Sequence, residues 1–200
     1  MDCFTDVRMR CQKKNQLLFT RQSPCLQPLR QSLCAQNHRT IVAWVFVCID
    51  DIAARLHGRV PGEQRIDRAL SLCKAWARGE VKMPVAKRAL LDVHAMAREV
   101  DSPCEIALLH AIGQGCAAVH VETHAIGVAL YELTAIVRQQ GIDNFAPAVE
   151  RRIARYIACM EQCRQAEDDA QPWASFLRDD TRPNKERLLW EKQQADIPRA

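Results

Sequence analysis

The fold is decided by residues 102–141, which read SPCEIALLHAIGQGCAAVHVETHAIGVALYELTAIVRQQG. The segment Ser102-Pro103-Cys104-Glu105 is a capping box with proline at the first helical position, and it predicts the start of a helix. Two helices are expected here, over about residues 103–120 and 123–140. Both are apolar on nearly every side, and helices of that kind lie at the centre of a bundle.

Amphipathic patterns on both sides of this stretch predict four further helices. They run from Asn37 to Gly58, from Pro61 to Gly79, from about Pro84 to Val100, and from a cap at Asp143 or Asn144 to about residue 165. No segment alternates with a period of two for long enough to indicate a strand. We therefore expect an all-α, single-domain bundle of about six main helices. Two apolar helices would be central, and a short helical C-terminal tail would cover about 173–177 and 186–194.

Three glycines lie inside the two central helices, at Gly113, Gly115 and Gly127. A glycine inside a helix costs about 1 kcal/mol relative to alanine, so it usually marks the close approach of another helix. A phosphate-binding loop is the alternative, but Gly113 and Gly115 follow no strand and lack the spacing of a nucleotide motif. Close packing is the favoured interpretation.

The first part of the chain differs from the rest in charge. Residues 1–37 hold six of the 28 Lys and Arg side chains and two of the 24 acidic ones, and so carry the whole net charge of +4. We expect a basic, weakly structured extension over 1–36, a bundle domain over 37–166, and a polar tail over 167–200 whose short helices pack on the bundle. A basic arm can contact nucleic acid or an anionic membrane, but a solvated segment is favoured and no nucleic-acid partner is expected.

The apolar runs and the cysteines bear on location. The stretch Ile41–Ile49 is the best apolar run and has nine residues, short of the ~18 that a spanning helix needs, so no membrane partner is expected. The ten cysteines form no C-x-x-C pair, and Asp2 and Asp6 interrupt any secretory apolar region. We expect reduced thiols and a cytoplasmic location. A metal shared by Cys159 and Cys163, four residues apart, stays open as an alternative.

Polar side chains set among apolar neighbours are the candidate binding residues. They are His94, His110, Gln114, His120, His124 and Glu132. His120 and His124 would share a helical face if the second central helix begins early enough, and could hold a transition metal that His94, His110 or Glu132 completes. Structural or capping roles are favoured, so no metal and no other cofactor is expected.

Few residues of the sequence could form a catalytic site. Cys116 and His120 could form a nucleophile–base pair, but a buried cysteine one turn from a polar residue is the favoured interpretation. Asp51 is expected to pair with Arg55 on a solvated helix face. We therefore expect no catalytic residue and no enzyme activity.

Several segments together resemble a known family. They are Asn37-His38-Arg39 followed by Trp44 and Cys48, Ala75-Trp76-Ala77-Arg78-Gly79-Glu80, His94-Ala95-Met96-Ala97-Arg98-Glu99, and Ala118-Val119-His120-Val121-Glu122-Thr123-His124-Ala125, followed by Gly127, Ala129 and Tyr131. In this order they are similar to the small all-helical putative immunity proteins of bacterial polymorphic toxin systems. The resemblance covers about residues 37–165.

The resemblance implies a protein that binds and neutralises a cognate bacterial toxin through protein–protein contacts. A compact bundle suits that role, because binding costs less when the partner is preorganised. Inhibitors of nucleases are often strongly acidic, and residues 38–200 hold 22 charged side chains of each sign, so a nuclease target gains no support. A metal-binding helical enzyme or sensor that uses the histidines is the alternative function, and a homodimer stays open.

Overall fold

The computed structural model describes residues 2–166 and 172–195, and every regular element in that part of the chain is helical. The helices are α1 (Thr5–Gln12), α2 (Gln27–Cys34), α3 (His38–Leu56), α4 (Gln64–Ala77), α5 (Met83–Met96), α6 (Pro103–Ala118), α7 (Ala125–Gln140), α8 (Ala146–Gln165) and α9 (Lys185–Ala195). Single 3-10 turns lie at Pro24–Leu26, Glu122–His124 and Ser175–Leu177. The all-α prediction is confirmed, and α3–α8 are the six main helices of the sequence pattern.

The two apolar helices are central, as their composition predicts. Helix α6 packs along α7 and also contacts α3, α4 and α5, while α7 contacts α3 and α8. Because neighbours surround α6, nine of its sixteen residues are buried. No helix in the described part of the chain has the length and apolar character to cross a membrane.

The helix boundaries follow local chemistry at most of the predicted positions. The Asn37 side chain accepts a hydrogen bond from the Thr40 N–H at 2.9 Å and caps α3. Ser102 accepts one from the Glu105 N–H and caps α6. Gly141 ends α7 with a φ of +80°, a conformation that suits glycine because it has no Cβ.

The start of α8 differs from the prediction. Neither Asp143 nor Asn144 caps this helix, which begins after Phe145 without a side-chain cap. Phe145 is fully buried and meets Phe4 edge to face, with 5.3 Å between the ring centroids. Burial of this ring fixes the start of α8, while the two polar residues before it stay exposed.

The prediction of a weakly structured N-terminal extension is wrong for residues 2–36. This segment forms α1 and α2 and contributes to the core the buried side chains of Phe4, Val7, Leu18, Phe19, Leu26, Leu29 and Leu33. Helix α1 buries only Val7, so it has no apolar stripe that a periodicity analysis could detect. The buried apolar residues of the segment are sparse, and Met9 of α1 is exposed, so no helical periodicity marks them.

The C-terminal segment lies against the N-terminal one. Glu186 of α9 is 1% exposed and pairs with the 2% exposed Arg30 of α2, with 2.8 Å between Nε and Oε1. The Asn184 side-chain amide donates to the carbonyls of Leu33 and Gln36, at 2.9 Å each. The predicted short helices around 173–177 and 186–194 correspond to a 3-10 turn and to α9; residues 167–171 and 196–200 of the predicted tail lie outside the described residues.

Candidate functional site

Two candidate histidines form a cluster with a tyrosine on one side of the central helix pair. His94 of α5 and His110 of α6 bring their Nδ1 atoms to 3.1 Å, so one of these atoms donates a hydrogen bond and the other accepts it. The His110 ring also packs on Tyr131 of α7, with 5.2 Å between ring centroids. All three rings are half-buried, and each therefore presents part of its surface to solvent.

A second polar pair lies about one helical turn further along α6. Nδ1 of His124 donates to Oε1 of Gln114 at 2.9 Å. Gln114 packs over Gly127 of α7, where an added Cβ would come within 2.7 Å of its Oε1. His94, His110, Tyr131, Gln114 and His124 are called the histidine row below.

Glycine makes room for the histidine row. A Cβ added to Gly113 would lie 2.4 Å from Cε1 of His94, which is closer than real Cβ atoms approach a neighbour. Gly115, on another side of α6, would meet Ile49 of α3 at 2.3 Å. The prediction that these glycines serve close packing is confirmed. Two of the three pack against a polar side chain of the row: Gly113 against His94, and Gly127 against Gln114.

The row is electrically neutral near pH 7. Burial lowers the pKa of His94, and the neighbouring His110 and His124 lower it further. Burial alone lowers the pKa of His110. Burial lowers the pKa of His124, with added contributions from Arg21 and His120. What the row offers to a partner is therefore hydrogen bonding and aromatic surface, with no net charge.

His120 does not join His124 on one helical face. Helix α6 ends at Ala118, and His120 lies in the turn that precedes the Glu122–His124 3-10 helix. The exposed His120 ring lies over Trp76, with 6.2 Å between centroids. The condition for a shared face is not met, because α7 begins only at Ala125 and the chain turns between the two histidines. Across residues 2–166 and 172–195, no group of three or more His, Cys, Asp or Glu side chains is arranged to hold a metal ion.

Glu132, the remaining candidate, is fully buried between three helices. Its carboxylate accepts hydrogen bonds from Arg55 of α3 and from Arg152 and Tyr156 of α8; the distance between Nη2 of Arg152 and Oε1 is 2.8 Å. Asp51 of α3 also pairs with Arg152, at 2.9 Å. The carboxylate thus ties α7 to α3 and α8 from inside the bundle.

Several partners of the candidate residues were not identified by sequence reasoning. Arg152 lies in a polar stretch of α8 with Arg151 and Arg155, yet its side chain is only 11% exposed and reaches Glu132. Tyr131 was recognised only as part of the family resemblance. A buried acid on an apolar helix needs a cation, and that requirement is the one signal that could have placed Arg152 inside.

Cys116 does not form the nucleophilic pair considered from the sequence. It is fully buried and hydrogen-bonds with Cys73 of α4, whereas His120 is exposed. This hydrogen bond, together with burial, raises the pKa of Cys116 well above its ordinary value. A protonated, enclosed thiol is a poor nucleophile.

One comparison with known proteins gives a match. A family model described as "Imm-5 like putative immunity protein" matches residues 31–162. The matched range contains α3–α7 and nearly all of α8, and with them all six candidate residues. No curated protein and no solved structure matches the chain.

Proposed function

Because this chain belongs to the family of Imm-5-like putative immunity proteins, we propose that it binds a cognate bacterial toxin in the cytoplasm and neutralises it through protein–protein contacts. The family match over residues 31–162 is the observation that carries the proposal. In this role the chain acts by binding and catalyses no reaction. A bundle whose central helices are packed through glycine supports the role, since a rigid partner loses little entropy on binding.

The histidine row is the proposed recognition surface on the chain. Interfaces are enriched in aromatic side chains that bury apolar area and still offer a polar atom. Tyr131 and His110 have this character, and both are half-buried on neighbouring central helices. Glu132 is left out of the proposed surface because its carboxylate is enclosed and bonded within the bundle.

The cost of the row to the fold supports its assignment to binding. Each half-buried imidazole takes polar ring atoms partly out of water, and Gly113 and Gly127 each replace a better helix former. A bundle could fill these positions with alanine and leucine at lower cost. Departures from the cheapest packing are expected where a protein functions.

Co-expression with the products of adjacent genes tests the proposed function. One neighbouring product should arrest growth when expressed alone, and co-expression of this chain should restore growth. The two purified proteins should then form a complex that elutes together on size exclusion. The proposal fails if no neighbouring product is toxic, or if growth is restored while the purified proteins do not bind.

Substitutions in the row test the proposed surface. His110→Ala and Tyr131→Ala together should weaken toxin binding at least about tenfold, as expected for truncation of anchor residues at an interface. His57→Ala is the matched control, since His57 is an exposed histidine after α3, outside the row. Equal affinity of the double variant and the control would place the recognition surface elsewhere and leave the toxin-binding role itself intact.

A further inference from the structure

Three cysteine thiols meet where α8 packs on α3. Cys48 of α3 is 4% exposed, while Cys159 and Cys163 of α8 are partly buried. The Cys159 thiol lies between the other two and is within hydrogen-bonding contact of both. This group is called the thiol cluster below.

Arginine side chains surround the thiol cluster. Arg152 and Arg155 line a small cavity of about 20 Å³ together with Cys48 and Cys159, a volume that admits one water-sized molecule. Asp51 lines the same cavity and is paired with Arg152 at 2.9 Å and with Arg155 at 3.5 Å. Arg152 is also bonded to Glu132, and Arg55 pairs with both carboxylates. Three arginines against two carboxylates leave an excess of positive charge beside the sulfur atoms.

This environment favours a thiolate at the central cysteine. Hydrogen bonds from Cys163 and then Cys48 lower the pKa of Cys159, and the charges of Arg152 and Arg155 lower it further. Burial raises the pKa of Cys48 well above its ordinary value, with a further contribution from its hydrogen bond to Cys159. The cluster therefore places a cysteine with a lowered pKa beside one with a raised pKa, on a different helix.

The geometry points to a redox site: we propose that Cys159 reacts with hydroperoxides and that Cys48 resolves the product to a disulfide joining α3 to α8. Thiolates in a positive, partly open environment are the ones that peroxides oxidise. The sites of both cysteines lie outside the histidine row, so this proposal is independent of toxin binding.

The reaction takes two steps and consumes one peroxide. The Cys159 thiolate attacks a peroxide oxygen, so that an S–O bond forms, the O–O bond breaks, and hydroxide leaves from hydrogen peroxide. The hydroxide takes the proton of Cys48 and becomes water. The Cys48 thiolate then attacks the Cys159 sulfur, the S–S bond forms, and the S–O bond breaks with loss of a second hydroxide. The two sulfur atoms lose two electrons, and the peroxide gains them.

Helix geometry selects Cys48 over Cys163 as the resolving residue. Residues four apart on a regular helix have Cβ atoms about 5–6 Å apart. A disulfide requires a Cβ separation of about 3.5–4.5 Å. A Cys159–Cys163 bond would therefore distort α8, whereas Cys48 approaches from the facing helix and is constrained by no such spacing.

Peptide mapping of the full-length, reduced protein tests the proposal. After brief treatment with hydrogen peroxide and blocking of free thiols, mass spectrometry should find a Cys48–Cys159 linked peptide that is lighter than its parts by about 2 Da. Cys73 and Cys116 are the internal control, because they form a hydrogen-bonded thiol pair that is fully buried. That pair should remain reduced. The proposal is overturned if Cys159 stays reduced, if it links to Cys163, or if the control pair oxidises equally fast.

Variants separate the roles of the three thiols. Cys159→Ala should abolish the linked peptide, whereas Cys163→Ala should retain it. Cys48→Ala should stop at a sulfenic acid on Cys159, which a dimedone-type probe captures. Arg155→Ala should slow oxidation about threefold, in line with the modest contribution of an exposed charge. Arg155 is 68% exposed, so this last variant tests the site even if Cys48→Ala does not fold.

Discussion

At the scale of single residues, the buried carboxylates explain more of the molecule than the exposed charges do. Glu132 and Glu186 are each almost inaccessible to solvent, and each is bonded by arginines from other segments of the chain. A buried ion pair adds little net stability, because desolvation offsets the attraction between the charges. Loss of one partner is costly, however, since the other charge then stays buried without compensation.

Glu132→Gln should destabilise the protein by about 2–4 kcal/mol, because Arg152 and Tyr156 lose a charged acceptor while Arg152 remains inside the bundle. Urea unfolding followed by circular dichroism measures the change. Glu150→Gln is the control, since Glu150 is an exposed acid on α8 and its loss should change stability by less than about 0.5 kcal/mol. Equal stabilities of the two variants would contradict the structural role of Glu132.

The stability of the protein should fall as the pH drops below about 6.5, the ordinary pKa of histidine. Burial lowers the pKa of His38, His94, His110 and His124 in the folded state. The unfolded chain therefore binds more protons between the unfolded and the folded pKa values, and acid favours unfolding across that window. Above pH 7 both states are neutral at these groups, and the effect is absent.

Thermal melts at pH 7.5 and pH 5.5 measure this pH dependence. His94→Gln with His110→Gln should reduce the drop in Tm by roughly half, because two of the four groups no longer titrate. An unchanged drop in the double variant would assign the pH dependence to other groups.

At the scale of helices, the contact of α5 with α6 depends on the absence of a side chain at Gly113. Gly113→Ala improves helix propensity by about 1 kcal/mol, yet its Cβ meets the His94 ring. We expect a net destabilisation of about 1–2 kcal/mol, because overpacking of a filled site forces the ring to move. Chemical denaturation measures the change.

A double-mutant cycle identifies the cause of this effect. In a His94→Ala background the obstructing ring is gone, so Gly113→Ala should become neutral or stabilising by up to about 1 kcal/mol. If Gly113→Ala destabilises both backgrounds equally, the strain does not come from the His94 ring.

Helix positions could be read from the sequence where caps and apolar stripes coincide, as at Asn37 and Ser102. Periodicity also identified α6 and α7 as central, because only an enclosed helix tolerates apolar residues on every side. The pairing within the histidine row could not be predicted in the same way. The sequence offers His94, His110, Gln114 and His124 as candidates, but which of them meet depends on how α5 and α7 approach α6. The start of α8 was misplaced because the burial of Phe145 outweighs a polar cap.

At the scale of the whole molecule, the N-terminal segment and helix α9 hold each other against the bundle. Helix α2 contacts both α8 and α9. The Glu186 carboxylate forms ion pairs with Nε of Arg30 at 2.8 Å and with Nε of Arg21 at 3.3 Å. Arg21 in turn donates to the Thr123 carbonyl, in the turn that leads to α7. A segment that composition suggested was a loose basic arm is therefore attached to the core by buried charge as well as by apolar side chains.

Glu186→Gln tests whether this attachment holds the N-terminal segment in place. The variant leaves Arg30 buried without a counter-charge, so we expect a destabilisation of about 2–4 kcal/mol. Helices α1 and α2 should open more often than the rest of the bundle, because α9 contacts α2 directly.

Limited proteolysis of the Glu186→Gln variant measures this opening. It should cut the variant faster than the unmodified protein within residues 13–26, the connection between α1 and α2. Glu191→Gln, at an exposed acid on the same helix, should leave the cleavage rate unchanged. Equal cleavage of both variants would mean that the apolar residues of the segment, from Phe4 to Leu33, hold it in place without the buried ion pair.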